Sequence, residues 1–268
     1  MNKEELKKEV MSIPYWYHKI QLPYDIVTPG WAPLDLSRYN LPDSFEGKRV
    51  LDVGAWDGFF SFLALERGAK EVVAIDDFSD NLGANNNKTT FDETEKKCIL
   101  ERSNKPWETF DLCKKTLGYT DSQCRRITIS LYDITEELLG GKFDIIFFFG
   151  TLYHLKMPMY ALHKLSNLCT DEMYVESAIC DDISPYGKSR TDVPILQFFP
   201  GNQYGSNDTN WFVPNISALA HMIHVSGFEY VSAWKLDDNE VTELSRARAF
   251  CRALKINPKN NCDMILEK

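Results

Sequence analysis

From residue 47 onward, short apolar runs alternate with longer stretches whose apolar positions recur every three or four residues. The runs 49–53, 71–76, 127–131, 143–149 and 173–178 are rich in Val, Ile and Phe and predict strands, while 58–66, 108–117 and 158–168 carry the helical period. Alternation of this kind predicts parallel βαβ units. Phe143 to Phe149 is almost continuously apolar, the pattern of a central strand covered on both faces. A later helix near 215–226, with Asn215 as its N-cap, and strands near 228–234 and 247–254 bring the expected sheet to seven strands.

The chain before residue 47 reads differently. Lys3 to Met11 predicts a short amphipathic helix, after which Pro14, Pro23, Pro29 and Pro33 keep the backbone extended or turning. Tyr15, Trp16, Tyr17, His18, Tyr24 and Trp31 crowd this stretch, and such rings either cap a core from outside or close over a ligand. Composition favours neither. We expect residues 1–46 to form an aromatic cap on a domain spanning 47–268, with insertions near 80–105 and 180–214. The first insertion contains Asn85-Asn86-Asn87 and many charges but little periodicity, as in a functional lid or a mobile insertion.

The junction of the first two strands carries candidate chemistry. Arg49 to Gly58 reads as strand, glycine turn and helix start, and Val72 to Asp76 as a second strand ending in an acid. A turn at Gly54 brings backbone close to a ligand, and Asp76, about 20 residues beyond it, is placed to accept from both hydroxyls of a ribose. A dinucleotide fingerprint would need glycine at positions 54, 56 and 59, but Trp56 and Phe59 stand at the last two. Bulky rings there obstruct a pyrophosphate. An adenosine ligand without phosphate remains, and S-adenosylmethionine fits.

Composition narrows the partners. With 44% hydrophobic residues the 268-residue chain can bury one sizeable core. Its 30 basic and 39 acidic residues give a net charge of −9, which repels phosphate backbones at long range and argues for a small-molecule substrate over nucleic acid. Seven cysteines with no C-x-x-C pair or zinc spacing read as reduced thiols. No apolar run approaches the roughly 20 residues of a membrane span, and Met1 to Lys8 lacks a signal-peptide core, so a cytoplasmic location is expected. The oligomeric state leaves no trace in the sequence.

Four stretches carry a resemblance: Trp16-Tyr17-His18 through Thr28-Pro29-Gly30-Trp31; Leu51-Asp52-Val53-Gly54; Phe143-Asp144 through Gly150-Thr151-Leu152-Tyr153-His154; and Pro200-Gly201 through Asn210-Trp211-Phe212-Val213-Pro214. Together they resemble class I S-adenosylmethionine-dependent methyltransferases, in the branch containing the bacterial wobble-uridine tRNA carboxymethyltransferase. The similarity runs over most of residues 15–255, and its Leu-Tyr-His and Pro-Gly-x-x-Tyr elements are more specific than the glycine turn. It implies a Rossmann-like, doubly wound α/β sheet of seven strands with the last antiparallel. It also implies cofactor contacts at Trp31, Gly54, Asp76, Phe149 and Tyr153, with Arg248 matching an arginine near the final strand. The chain departs from the branch in lacking much of the tRNA enzyme's N-terminal extension and in carrying the Asn-rich insertion. The lysine that holds the carboxylated donor there has no clean match, since Lys19 is spaced differently from Trp31, and ordinary S-adenosylmethionine is the expected donor.

Within this scheme Asp52 braces the turn formed by Gly54, Trp56 and Gly58, and Asp76 holds the ribose. Asp133 either accepts from the adenine amino group or caps a helix at 135–139, and Phe78 and Ile134 sandwich the purine. His154, beside Tyr153 at the carboxyl edge of the sheet, is the first candidate base, since a neutral imidazole can take a proton from a hydroxyl or amine. His154→Ala is then expected to cost about 10²-fold in turnover. His18 is the second, delivered by the aromatic segment. Either histidine also reads as a purely structural residue. Tyr204, Asn210 and Trp211 form a substrate wall or pack on the core, and Arg248 clamps an anionic substrate group or closes a salt bridge. Asp181-Asp182 lacks convergent partners, so no metal is expected. The expected activity is O-methylation of a sugar or specialised metabolite. The alternatives are a tRNA wobble-uridine (carboxy)methyltransferase, and a non-catalytic binding module, which would be expected to lose the Tyr153-His154 pair.

Overall fold

The computed structural model describes residues 1–32, 34–77, 107–181, 192–201, 203–204, 209–235, 247–255 and 265–266. Helix α1 (Lys3–Ser12) starts at a reciprocal cap, in which the Asn2 side chain accepts from Glu5 N–H and the Glu5 carboxylate accepts from Asn2 N–H. A small hairpin follows, β1 (Gln21–Leu22) with β2 (Ile26–Val27). Then come β3 (Arg49–Val53), α2 (Phe59–Glu66), β4 (Glu71–Asp76), α3 (Glu108–Leu117), β5 (Cys124–Thr128), α4 (Glu136–Leu139), β6 (Phe143–Phe149), α5 (Pro158–Leu168) and β7 (Cys169–Ala178). The remainder holds β8 (Leu196–Phe198), β9 (Phe212–Pro214), α6 (Ile216–Val225), β10 (Tyr230–Lys235), β11 (Arg248–Leu254) and β12 (Ile265–Leu266).

The main sheet has the order β12-β10-β11-β7-β6-β3-β4-β5. Strands β3 to β7 pair in parallel, and β11 runs antiparallel between β7 and β10. All seven expected strands are therefore in it, with β11 as the antiparallel one, and β12 adds two residues in parallel to β10. The chain winds one way from β3 to β5 and the other way from β6. This reversal opens a crevice beyond the carboxyl ends of β3 and β6, where ligands of open α/β sheets lie.

Alternation along each strand builds two cores. Leu51, Val53, Ile146 and Phe148 join α5 and α6 on one face, while Val50, Ile145 and Phe147 join α1, α2 and α3 on the other. Phe147 and Phe148 are both fully buried, each worth about 1.5–3 kcal/mol of transfer free energy. Trp16 belongs to the second core and donates from Nε1 to Val10 O at 3.1 Å.

Two boundaries differ from the sequence reading. Strand β5 lies at 124–128, not 127–131, because its ladder with β4 pairs Val72 with Cys124 and Asp76 with Thr128. As an edge strand it alternates half-buried and exposed positions after Cys124, and Arg126 points outward to Asp111; the apolar period of Ile127, Ile129 and Leu131 runs past its end. Strand β7 begins four residues early, at Cys169. The second insertion contains the hairpin β8–β9, whereas the Asn-rich insertion lies outside the described residues.

Candidate active site

The crevice begins at the turn between β3 and α2. Gly54 N–H donates to Ile75 O at 2.9 Å, and Trp56 N–H donates to Asp76 Oδ2 at 2.9 Å. Asp76, the acid expected at the ribose, thus also ties the turn to β4. Gly58 caps α2 with φ +85°, and a Cβ there would meet Phe110 at 2.5 Å, so this glycine lets the helix pack closely and is not a wall of the site. Asp52, expected to brace the turn, accepts from Ser61 Oγ at 2.6 Å. Burial pushes its pKa up to about 6, against the lowering influence of Ser61 and His18.

Above the turn is a cavity of about 380 Å³. Nine of the residues given a site role from sequence line it: His18, Trp31, Asp52, Gly54, Trp56, Asp76, Phe149, Tyr153 and His154. Tyr15, Tyr17, Tyr39, Val53, Ala55, Phe60, Gly150, Thr151 and Glu176 complete the wall. Three carboxylates and two histidines face this space, and among the described lining residues there is no lysine or arginine.

One wall comes from the N-terminal segment. Trp31 Nε1 donates to Tyr15 Oη at 2.9 Å, the Tyr17 ring meets Trp31 edge-on at 5.2 Å, and Tyr15 meets Trp56 at 5.9 Å. The aromatic stretch therefore divides its labour, with Trp16 in the core and Tyr15, Tyr17 and Trp31 at the cavity. His18 Nδ1 lies 2.6 Å from Asp57 Oδ1, and Asp57 is fully buried. Burial raises the pKa of Tyr17 and Tyr39 far above the ordinary phenol range, so both stay neutral.

The opposite wall comes from the ends of β6 and β7. Thr151 Oγ1 donates to Phe149 O at 2.9 Å, and the following 3-10 turn, Leu152–His154, carries Tyr153 and His154. His154 Nδ1 lies 3.3 Å from Thr209 O. Burial pushes its pKa down to about 4, partly opposed by that carbonyl, so the ring is neutral near pH 7. Glu176 Oε1 lies 3.4 Å from Arg248 Nε, and the Arg248 guanidinium sits 5.0 Å from the Tyr153 ring centre. Burial works against the charge of Arg248, but Tyr153 and Glu176 outweigh it and hold its pKa above the ordinary value.

The remaining candidates lie elsewhere. Arg248 stands behind Tyr153 rather than in the cavity wall, and Arg252 makes a two-pronged pair with Glu172 at 2.9 and 2.8 Å. Tyr204 is buried 6.0 Å from the Tyr153 ring, Asn210 Nδ2 donates to Tyr204 O, and Trp211 N–H donates to Tyr153 O. These three support the wall from behind and do not line it. Asp133 is exposed, five residues past β5, and Thr135 rather than Asp133 caps α4; Ile134 is buried in the core, away from the cavity. Phe78 and Asp182 lie outside the described residues. Asp181 Oδ2 accepts from Ile216 N–H, which anchors the start of α6.

Two residues escaped the sequence reading although each left a signal. Glu176 is the only acid in the buried half of β7, Met173 to Ala178, and Asp57 is a fully buried acid inside the glycine turn. An ionisable side chain in an apolar run marks a functional position more often than a packing one.

Residues 31–233 match a family profile described as a methyltransferase domain. The chain belongs to this family. This methyltransferase is 26% identical over 234 residues to the tRNA U34 carboxymethyltransferase of Helicobacter pylori (strain Shi470), covering 85% of this chain and 75% of that one. It is also 26% identical over 246 residues to the Mannheimia succiniciproducens protein of the same name, covering 88% of this chain and 60% of the other. Among solved structures, the N-terminal domain of EvdMO1 with SAH bound superposes with a TM-score of 0.53 at 13% identity, covering 95% of each chain. That likeness confirms the doubly wound fold. The fold's seven-strand order, the glycine turn and the family together make this an S-adenosylmethionine-dependent methyltransferase.

The site fits that cofactor. A cavity with carboxylates, aromatic faces and no cation among its described lining residues suits a sulfonium, which supplies an activated methyl group when bound. Asp76 and Trp56, joined across the turn, line the cavity together with Asp52 and Gly54.

Proposed function

We propose that this methyltransferase moves a methyl group from ordinary S-adenosylmethionine to a hydroxyl of a small uncharged acceptor, a sugar or specialised metabolite. The observation that carries the reading is the charge of the cavity wall: Asp52, Asp76 and Glu176, with neither lysine nor arginine among the described lining residues. A positive sulfonium is stabilised there. A donor carrying an added carboxylate, or an acceptor carrying phosphates, is repelled. The net charge of −9 acts in the same direction at longer range. Asp76, Gly54, Trp31, Trp56, Phe149 and Tyr153 are assigned to the cofactor, and holding the acceptor oxygen in line with the methyl carbon and sulfur is the main catalytic task, worth roughly 7–11 kcal/mol in well-oriented systems.

The second reading is modification of a tRNA wobble uridine, which the names of the relatives favour over the first. The two differ in what they need from the surface, since tRNA binding requires a basic face and weakens steeply with salt. Incubation with methyl-labelled S-adenosylmethionine, comparing bulk tRNA with glycan and metabolite extracts, separates them. Label in the extracts supports the first reading. Label in tRNA, lost at high salt, overturns it.

A further inference from the structure

We infer that His18 and Asp57 form the proton-accepting pair of this enzyme, with His18 Nε2 taking the acceptor's proton and Asp57 fixing the imidazole tautomer. The inference rests on the hydroxyl-methylation reading above. Asp57 Oδ1 lies 2.6 Å from His18 Nδ1, while Oδ2 accepts the backbone N–H of His18 at 2.7 Å and of Tyr17 at 3.2 Å. An ionised carboxylate can only accept, so Nδ1 carries a hydrogen, and in the neutral ring Nε2 is then the nitrogen able to take a proton. Nε2 has no hydrogen-bond partner among the described residues, and the ring is part of the cavity wall, flanked by Phe59 at 5.2 Å and Phe60 at 5.8 Å.

The backbone of His18 is held as firmly as its ring. Thr28 Oγ1 donates to His18 O at 2.7 Å and accepts from Ile20 N–H at 2.8 Å. A Cβ at Gly30 would fall 2.1 Å from His18 C, so only glycine lets the chain pass this close to the His18 backbone. Among the described residues, the charged and titratable groups seen against His18 are Asp57 and Asp52 from the β3–α2 region and Tyr17 beside it. A new imidazolium therefore forms against anions.

In the reaction the acceptor oxygen bonds to the methyl carbon as the carbon–sulfur bond breaks, its electron pair returning to sulfur as a neutral thioether. The oxygen's proton passes to Nε2. Charge is conserved, because the sulfonium's positive charge reappears on an imidazolium faced by Asp57. His154, the other histidine at the cavity, has no carboxylate on its ring among the described residues and sits instead against Thr209.

The Asp57→Asn variant tests the pair. The two backbone N–H groups hold the amide oxygen at the Oδ2 position, which turns the amide NH₂ toward Nδ1 and forces the hydrogen onto Nε2. In ¹⁵N-labelled wild type, imidazole shifts should show Nδ1 protonated and Nε2 bare for His18; in Asp57→Asn they should show the reverse. Calorimetry should give unchanged S-adenosylmethionine affinity, with label transfer to the glycan and metabolite extracts falling ~10²–10⁴-fold, as when a base is trapped in the wrong tautomer. A wild-type His18 protonated at Nε2, or full turnover in Asp57→Asn, overturns the pair. Should the variant not fold, the wild-type tautomer decides alone. Failure of the wild type to bind S-adenosylmethionine would overturn the functional reading instead, and the tautomer would still report on the pair.

Discussion

The two walls of the cavity each supply a histidine, and they surround it with opposite electrostatics. On the N-terminal wall, His18 rests against a buried carboxylate that is itself saturated by two backbone N–H groups. On the strand-end wall, His154 is half-buried beside a carbonyl and near Arg248, and desolvation pushes its pKa down to about 4. Burial alone makes a histidine neutral and a poor proton acceptor. Burial with an anion on the far ring nitrogen fixes a tautomer and stabilises the charged product. Sequence ranked His154 first because it adjoins the sheet edge. The pair inferred above would put the proton-accepting role on the other wall.

The largest expected effect is on turnover. His18→Gln should lower methyl transfer by ~10²–10⁴-fold with S-adenosylmethionine affinity retained, whereas His154→Gln should cost less than about tenfold. Comparable losses in the two variants, read by label transfer and calorimetry, would abolish the contrast between the walls.

Acid stability sharpens the same contrast. His154 has a folded pKa of about 4 against an ordinary 6.5, so the unfolded chain binds more protons in that window and stability is lost as pH falls through it, by about 3 kcal/mol in full. Asp52 has the opposite sign: its folded pKa of about 6 lies above the ordinary 3.8, so its contribution is present below 3.8 and lost as pH rises through 6. The two nearly cancel between pH 4 and 6. In Asp52→Asn the compensation disappears, and urea unfolding should show stability falling more steeply than in wild type on acidification from pH 6.5 to 4. Parallel curves would mean that the burial of Asp52 does not have the stated consequence.

A smaller effect is expected at the floor that both walls share. Asp76→Ala should weaken S-adenosylmethionine binding by roughly 10–100-fold, the loss of about 1.5–3 kcal/mol for a charge-assisted hydrogen bond. Unchanged affinity by calorimetry would remove Asp76 from the cofactor site and leave it only as the acceptor for Trp56 N–H.

Strands buried on both faces were legible from sequence because their side chains report a single environment: Phe143–Phe149 is bounded identically in sequence and structure. Strand β5 was misplaced because one edge is open to solvent, so Arg125 and Arg126 interrupt the apolar pattern that defines the interior strands. The turn residues Asp52, Gly54, Trp56 and Asp76 could be read because local spacing alone brings them together. Asp133 was aimed at the cavity through a strand end that proved to be five residues earlier. The pair His18–Asp57, 39 residues apart, depends on how the N-terminal segment folds over the turn, and no local pattern encodes that contact. Glu176 and Arg248 meet only because β11 inserts antiparallel next to β7.

The hydrogen bond from Trp56 N–H to Asp76 has a thermodynamic corollary. Since β4 already clamps the backbone of the loop, adenosine would meet a rigid edge rather than a chain that must be immobilised, and association should proceed without an entropic toll for ordering that loop. Severing the clamp would then reach beyond one lost contact: the loop would regain its freedom, and every later arrival would have to restrain it anew.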